Sequence, residues 1–443
     1  MSYNNKYSNK PFESASKTGH TSIINDKEVK NFLSNCHIPS YDKEVSQQDM
    51  QKYFLRDIQN NPIKNIIAID GGFTDVYVRK EFPSSTIAFF QFGALFFKYQ
   101  DLIEMEEKPF IDPDDFSKLQ NMQRMKLILP TKGVTFKNEI DLIDSVRKSI
   151  YDFFVNTIEN QGLIKALTWL IFEEYNFNNT IDWTIAQCPH CKEPIKFTKN
   201  DLTSEYTLSC PHCQETIYLT DVFRLHEVID NELGAGGVLG YLCTTIEQLI
   251  IVYLIKEILN TKAALLKETL IVKDGPLAFF GQTANIHKPM KKLIKYLNKN
   301  FTINLVGLEK SGAFVEHAEV ISDKLEKNQI ILLGNNYIYK YILPGQPRPG
   351  SIYGETTYYS HKLIYKSKYD NIYIASIPAI ELKAEPDLSD YINLSAILNN
   401  ISYLKCDLYY NSLVPVVLAN KLVSLSDHPS ADILKTFAQQ SIS

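Results

Sequence analysis

Strands alternate with helices along this chain, which predicts an α/β fold built around a mixed sheet. Three observations carry that prediction. Apolar strand-like runs recur at "KNIIAID" (64–70), "ETLIVKDG" (268–275) and "TINLVGLEKSG" (302–312). Stretches with apolar residues at three- and four-residue spacing lie between them, at 139–177 and about 238–260. A cysteine segment at 184–220 interrupts the series, reading as an inserted module.

The elements follow in order. Residues 1–62 are rich in Asn, Ser, Lys and Gln and form a polar arm with one or two short helices. The first part of the core, 63–183, opens with the strand at 64, continues through β-rich "TIAFFQFGALFFKY" (86–99) and closes on the helical stretch. The cysteine module occupies 184–222. The second part of the core, 223–345, carries the long helix, the strand ending "VKDG", the basic helix "KPMKKLIKYLNKN" (288–300) and the third strand. "PGQPRPG" (344–350) breaks the chain. In 346–443, "TTYYSHKLIYKSKYDNIYIASIP" reads as a β-hairpin, followed by helices "NSLVPVVLANKLVSLS" and "SADILKTFAQQ". Hairpin and helices are appendages that complete the core. Neither a repeat nor a low-complexity tract is evident.

At 443 residues, 44% apolar and 22% charged, the chain can bury a large core in two or three domains. A net charge of −5 does not suggest wholesale coating of nucleic acid, but leaves room for a local basic path. The N-terminus is polar and fits no secretory signal. The greasiest run, "LIIVYLIKEIL" (249–259), is short of a membrane span and contains Lys256 and Glu257. These features predict a soluble, cytoplasmic protein without a membrane partner.

Cys188-Pro-His-Cys191 and Cys210-Pro-His-Cys213 are separated by 18 residues, the spacing of a four-cysteine zinc ribbon. Two knuckles closing one small hairpin direct four thiolates at one Zn²⁺. Four thiolates fill the ion's coordination, so its role is structural. His190 and His212, inside the knuckles, are expected to face solvent.

Asp70 and Asp274 each end a strand and each precede a glycine, which permits tight turns. Two carboxylates at like ends of neighbouring strands raise each other's pKa and call for a cation. Hard oxygen ligands suit Mn²⁺ or Mg²⁺. A third ligand is expected from the helix before Asp274, where Glu247 and Glu257 compete. Ile251, Leu254 and Ile258 share the face of Glu247, while Glu257 lies by Lys256, Asn260 and Thr261. A glutamate on a packed face must be paired or metal-bound, which favours Glu247.

"IDGGFTDV" also resembles the phosphate-binding turn of actin-like ATPases, a less favoured reading. Its required second turn is "DGPLAFFG" here, and Pro276 and Leu277 do not offer a run of backbone donors. "IAIDGG", the acidic helix, "VKDGPLAFFG", "LVGLEKSGAFVEH" and the closing "LVPVVLANKLVSLS" together resemble the NurA nucleases over roughly 64–425, apart from the cysteine segment. That segment resembles an insertion in some bacterial relatives.

The resemblance implies an RNase H-like core and a metal-dependent deoxyribonuclease, exo- and endonucleolytic. It implies a homodimer acting on DNA with a HerA-type hexameric ATPase, in DNA-end repair or antiviral defence. Asp70, Glu247 and Asp274 would hold the catalytic Mn²⁺ or Mg²⁺. Lys310 would contact phosphate, or else is a surface lysine at a strand end. Alignment on Pro415 places Asn420 where the family's archaeal members have a His, and Ser412 where they have a Tyr. Asn420 can hydrogen-bond a ligand water but does not titrate. That departure keeps open a second class of function, a NurA-like adaptor without strong catalysis.

Other residues carry lighter expectations. Glu316 and His317 are an outer metal shell or a solvated helix start. Lys288, Lys291, Lys292, Lys295 and Lys299 follow a DNA backbone or form a solvated face. Tyr353, Tyr358 and Tyr359 stack on bases or pack across strands.

Overall fold

A continuous apolar run along a strand buries both faces of the sheet it joins. Strand β2 (Asn65–Arg79) has such a run: Ile67 and Ile69 face one core layer, Ile66 and Ala68 the other. Each fully buried isoleucine contributes about 2–3 kcal/mol of burial energy. The computed structural model describes residues 18–36, 45–46, 49, 53–106, 124–176, 181–343, 345, 348–407, 409, 411–425 and 430–442. The chain divides into two compact units, Met1–Ser46 and Gln47–Ser443.

The first unit holds two short helices, Thr18–Asn25 and Lys27–Asn35, as expected for the polar arm. Asp26 caps the second, accepting the Glu28 N–H at 2.7 Å. Much of the remaining arm lies outside the described residues, as do parts of the 344–350 breaker.

The second unit is a nine-stranded mixed sheet. Its strands are β1 (Tyr53–Phe54), β2, β3 (Ser85–Lys98), β4 (Arg124–Lys132), β9 (Thr269–Asp274), β10 (Asn304–Glu309), β11 (Gln329–Leu332), β12 (His361–Lys366) and β13 (Ile372–Ile377). The order is β1-β11-β12-β13-β10-β9-β2-β3-β4. The five strands from β4 to β10 form an antiparallel meander, β2–β3–β4, with β9 and β10 added parallel to β2. That is the RNase H-like arrangement, so the predicted fold class holds. The hairpin β12–β13 extends this sheet beside β10.

Helices Leu142–Asn156, Gly162–Ile171, Leu239–Lys262 and His287–Asn300 cover one face, and Leu394–Tyr403 and Val414–Val423 cover the other. The stretch predicted as one helix over 139–177 is therefore two. Asn160 and Gln161, at φ 56° and 59°, break it. The long helix is long and apolar enough to cross a membrane, but most of it is buried by the surrounding protein.

The cysteine module is made of two hairpins where one was expected. The first knuckle lies between β5 (Asp182–Ile185) and β6 (Ile195–Thr198), the second between β7 (Thr207–Ser209) and β8 (Thr216–Tyr218). Each knuckle turns the same way: Cys188 N–H donates to Glu193 O and Cys210 N–H to Glu215 O, at 2.8 and 2.9 Å. Lys192 and Gln214 take matching left-handed conformations.

Candidate metal centre

Asp70 does not end its strand. β2 continues through Gly71 and Gly72 to Arg79, paired with β3 (Asp70 opposite Gly93, Gly71 opposite Phe92), although a glycine turn was expected. What ends near Asp70 is the pairing with β9, whose last register is Ile69 with Lys273. The glycines answer to close neighbours. A Cβ on Gly71 would stand 2.7 Å from Phe92 Cδ1 and 3.0 Å from Glu247 Oε1; one on Gly72 would stand 2.7 Å from the Val423 carbonyl. Because both glycines lie in an extended ladder, they form no phosphate-cradling loop.

Asp274 does end β9, and Gly275 turns the chain at φ 85°. Parallel register makes Asp70 and Asp274 neighbours on one face of the sheet. Lys273 points to the other face, toward the long helix that carries Glu247. There its ammonium meets Glu247 Oε2 at 2.6 Å and donates to the Asp274 carbonyl at 2.5 Å. Lys310 reaches from the end of β10 and donates to Asp274 Oδ2 at 2.7 Å. Next to Glu247, Gln248 fixes the "DGPLAFF" turn. Its amide donates to the Pro276 and Ala278 carbonyls at 3.3 and 3.4 Å, and its oxygen accepts the Tyr359 hydroxyl.

The electrostatics follow from this crowding. Burial, then Asp274 and Glu247, push the Asp70 carboxyl up to about 7, against the Gly71 N–H and Lys310. Burial would lower Lys273, but Glu247, Asp274 and Asp70 outweigh it and hold the ammonium above its ordinary value. Asp70 Oδ1 accepts the Gly71 N–H at 2.8 Å, while its buried Oδ2 has no hydrogen-bond partner.

These residues fit a divalent cation: all donors are carboxylate oxygens, and one buried lone-pair set lacks any other partner. The carboxylates are not drawn together as the cysteines are. Among the described residues, only Cys188, Cys191, Cys210 and Cys213 place ligand atoms of three or more residues all within 4.8 Å of one another. The physical reason is the pleat, which puts Asp70 and Asp274 on one face and Glu247 on the other.

The structure bonds Lys310 to Asp274 and sets Glu247 beside the Asp70 strand, but the oxygens of Asp70, Glu247 and Asp274 do not all lie within 4.8 Å of one another. Glu257 is half-exposed and pairs with Lys256 at 3.7 Å, away from Lys273. Asn420 lies on the exposed side of the helix Val414–Val423, outside the bonded set among the described residues, and its carbonyl accepts the Ser424 N–H at 2.9 Å. Ser412 is buried, its N–H donating to Tyr409 O. Glu316 is exposed at a helix start, while His317 meets the Tyr337 hydroxyl at 2.9 Å. Within the basic run, Lys292 and Lys295 pair with Glu173 and Glu381, and Lys291 donates to the Glu355 carbonyl. Tyr358 and Tyr359 are buried, and Tyr353 packs on Phe314 and Tyr358, so the packing role is the one realised.

Sequence reasoning missed Lys273 and Gln248. A lysine inside the otherwise apolar strand "TLIVKD" was the available signal, since a buried ammonium demands a carboxylate.

In the cysteine cluster, Cys188 and Cys213 Sγ stand 3.8 Å apart, as do Cys191 and Cys210. The arrangement is that of a zinc ribbon, and its apolar residues, among them Ile185, Phe197 and Ile217, belong to the main core. Arg147 clamps it down. Its guanidinium bonds Asp221 through two nitrogens, Asp144, and the Thr216 carbonyl. It also meets His190 Nε2 at 3.1 Å, so His190 is not directed to solvent; His212 is exposed.

No family model matches the chain, and no curated protein matches it. Solved structures similar to it include the NurA nuclease from Sulfolobus solfataricus, at 8% identity over 96% of this chain and 97% of that one, with a TM-score of 0.33. A second NurA crystal structure is 10% identical over 95% and 97%, with a TM-score of 0.26. A third, NurA with manganese, is 11% identical over 86% and 90%, with a TM-score of 0.29.

Proposed function

We propose that the chain is a metal-dependent deoxyribonuclease that hydrolyses DNA phosphodiesters with Mn²⁺ or Mg²⁺. The observation that carries this reading is the buried, unpartnered Oδ2 of Asp70, set beside Asp274 at the end of the parallel ladder. Lys273 and Lys310 already offset two of the carboxylates, and the oxygen left without a partner suits a further cation. Asp70 and Asp274 would hold the ion from one face of the sheet, and Glu247, paired with Lys273 on the other, would add its charge to the centre. A divalent ion bound there would supply Lewis acidity for activating water and stabilising the leaving oxygen.

The protein's own groups then position the substrate. Lys310 is a third exposed and bonded to Asp274, so it can exchange that carboxylate for a phosphate oxygen as DNA arrives. Lys273 is 2% exposed and holds Glu247 in place throughout. Asn420, on the exposed side of its helix, can offer an amide to a substrate or water but no proton. The cysteine cluster binds Zn²⁺ in a structural role, consistent with its incorporation into the main core.

The sequence resemblance adds the setting: a cytoplasmic homodimer working with a HerA-type hexameric ATPase, in DNA-end processing or defence against phage. A second reading, an adaptor with little catalysis, is favoured by one observation: Asn420 stands outside the bonded carboxylate set. Digestion of linear DNA with Mn²⁺, with and without the ATPase, separates the two. Cleavage abolished by Asp70→Ala and by Asp274→Ala supports the nuclease. Intact DNA, or cleavage unchanged in both variants, sinks it.

A further inference from the structure

We propose that Lys273 takes the place of a second metal ion beside Glu247, so that the acidic centre binds a single divalent cation, on the face of Asp70 and Asp274. This rests on the metal-dependent reading above. Three carboxylates could in principle hold two divalent ions between them. Here one of the three is already engaged: Glu247 Oε2 lies 2.6 Å from the Lys273 ammonium. The same ammonium donates to the Asp274 carbonyl at 2.5 Å, which locks it between the long helix and the end of β9.

The two lysines of the site differ in their freedom. Lys310 is a third exposed and can swing away from Asp274, whereas Lys273 is 2% exposed in the interior of the sheet. Lys273 therefore remains when substrate and metal bind. A fixed positive charge on the Glu247 face repels a further cation there and leaves the Asp70–Asp274 face, with its unpartnered Oδ2, as the place for one ion. Lys273 is a positioning residue in this scheme, since it acts through Glu247 and contacts no substrate.

The count of ions tests it. Full-length protein with its cysteine cluster loaded is titrated with Mn²⁺, with free ion followed by electron paramagnetic resonance. The Asp70→Asn variant serves as the blank. The expected result is one equivalent in the wild type, lost in Asp70→Asn and retained in Lys273→Arg, with a second equivalent gained in Lys273→Met. Two equivalents in the wild type, or no gain in a folded Lys273→Met, overturn the inference and leave the nuclease reading intact. No Mn²⁺ bound by the wild type overturns the metal-dependent reading itself. Should Lys273→Met fail to fold, the wild-type count decides alone.

Discussion

Cysteine cluster and acidic centre place their ligands in opposite ways. The cysteines come from two matching local turns, and their sulfurs converge without help from distant parts of the chain. The carboxylates come from β2, the long helix and β9, and the two sheet faces hold them apart. Lysines sit among the carboxylates, while Arg147 braces the cysteine module from outside. The difference separates a site that stabilises a fold from one that the fold must hold under electrostatic stress.

The largest effect expected is on the cysteine side. Structural zinc sites are linked to folding by on the order of 10 kcal/mol. Chelation, or Cys188→Ser with Cys210→Ser, should lower the thermal midpoint sharply, because Ile185 and Phe197 belong to the main core. An unchanged midpoint would remove the stabilising half of the comparison. Next, Asp70→Asn should reduce DNA cleavage by roughly a thousandfold or more, equivalent to about 4 kcal/mol, with the midpoint unchanged or raised. A fall in both would make Asp70 structural.

The metal-free protein should also show Asp70 in its pH dependence. Its folded pKa, about 7, lies above the ordinary carboxylate value, so the folded state holds the proton longer than the unfolded one. Stability from this group is therefore greatest at low pH and declines as pH rises from about 4 to 7, by on the order of 4 kcal/mol. Denaturant midpoints across that window should show the decline in the wild type and not in Asp70→Asn. Saturating Mn²⁺ should oppose it. Gly71→Ala should cost about 1–3 kcal/mol by overpacking, read as a shift in midpoint, since Phe92 offers the new methyl no space. The smallest effect belongs to Glu257→Gln, within about 0.5 kcal/mol and with cleavage unchanged, against a large loss for Glu247→Gln.

Local features of both sites were legible in the sequence. Spacing alone placed the four cysteines, because each knuckle is set by a few consecutive residues. Helical phase chose Glu247 over Glu257, and the structure puts Glu247 beside the Asp70 strand. The course of β2 was not legible. Glycines normally weaken a strand, and what demands them here is Phe92 and Val423, contacts distant in sequence. β4 was missed because "RMKLILPTK" mixes charge and proline into a sheet-edge strand. The lysine in "LIVKD" was a signal of a buried ion pair that went unread. Its partner became identifiable once the long helix was known to cross that strand's face.

Chain order gives the parallel ladder a consequence in time. The meander β2–β3–β4 is complete as a sequence long before β9, which follows the cysteine module and the long helix. During synthesis, the β2 flank that β9 will occupy is an open sheet edge next to Ile66 and Ala68, a template for wrong pairing. The acidic centre lies on that same seam. Its assembly is thus tied to a late, long-range closure step, and slow synthesis or a weakened β9 should appear first as aggregation of the nascent chain.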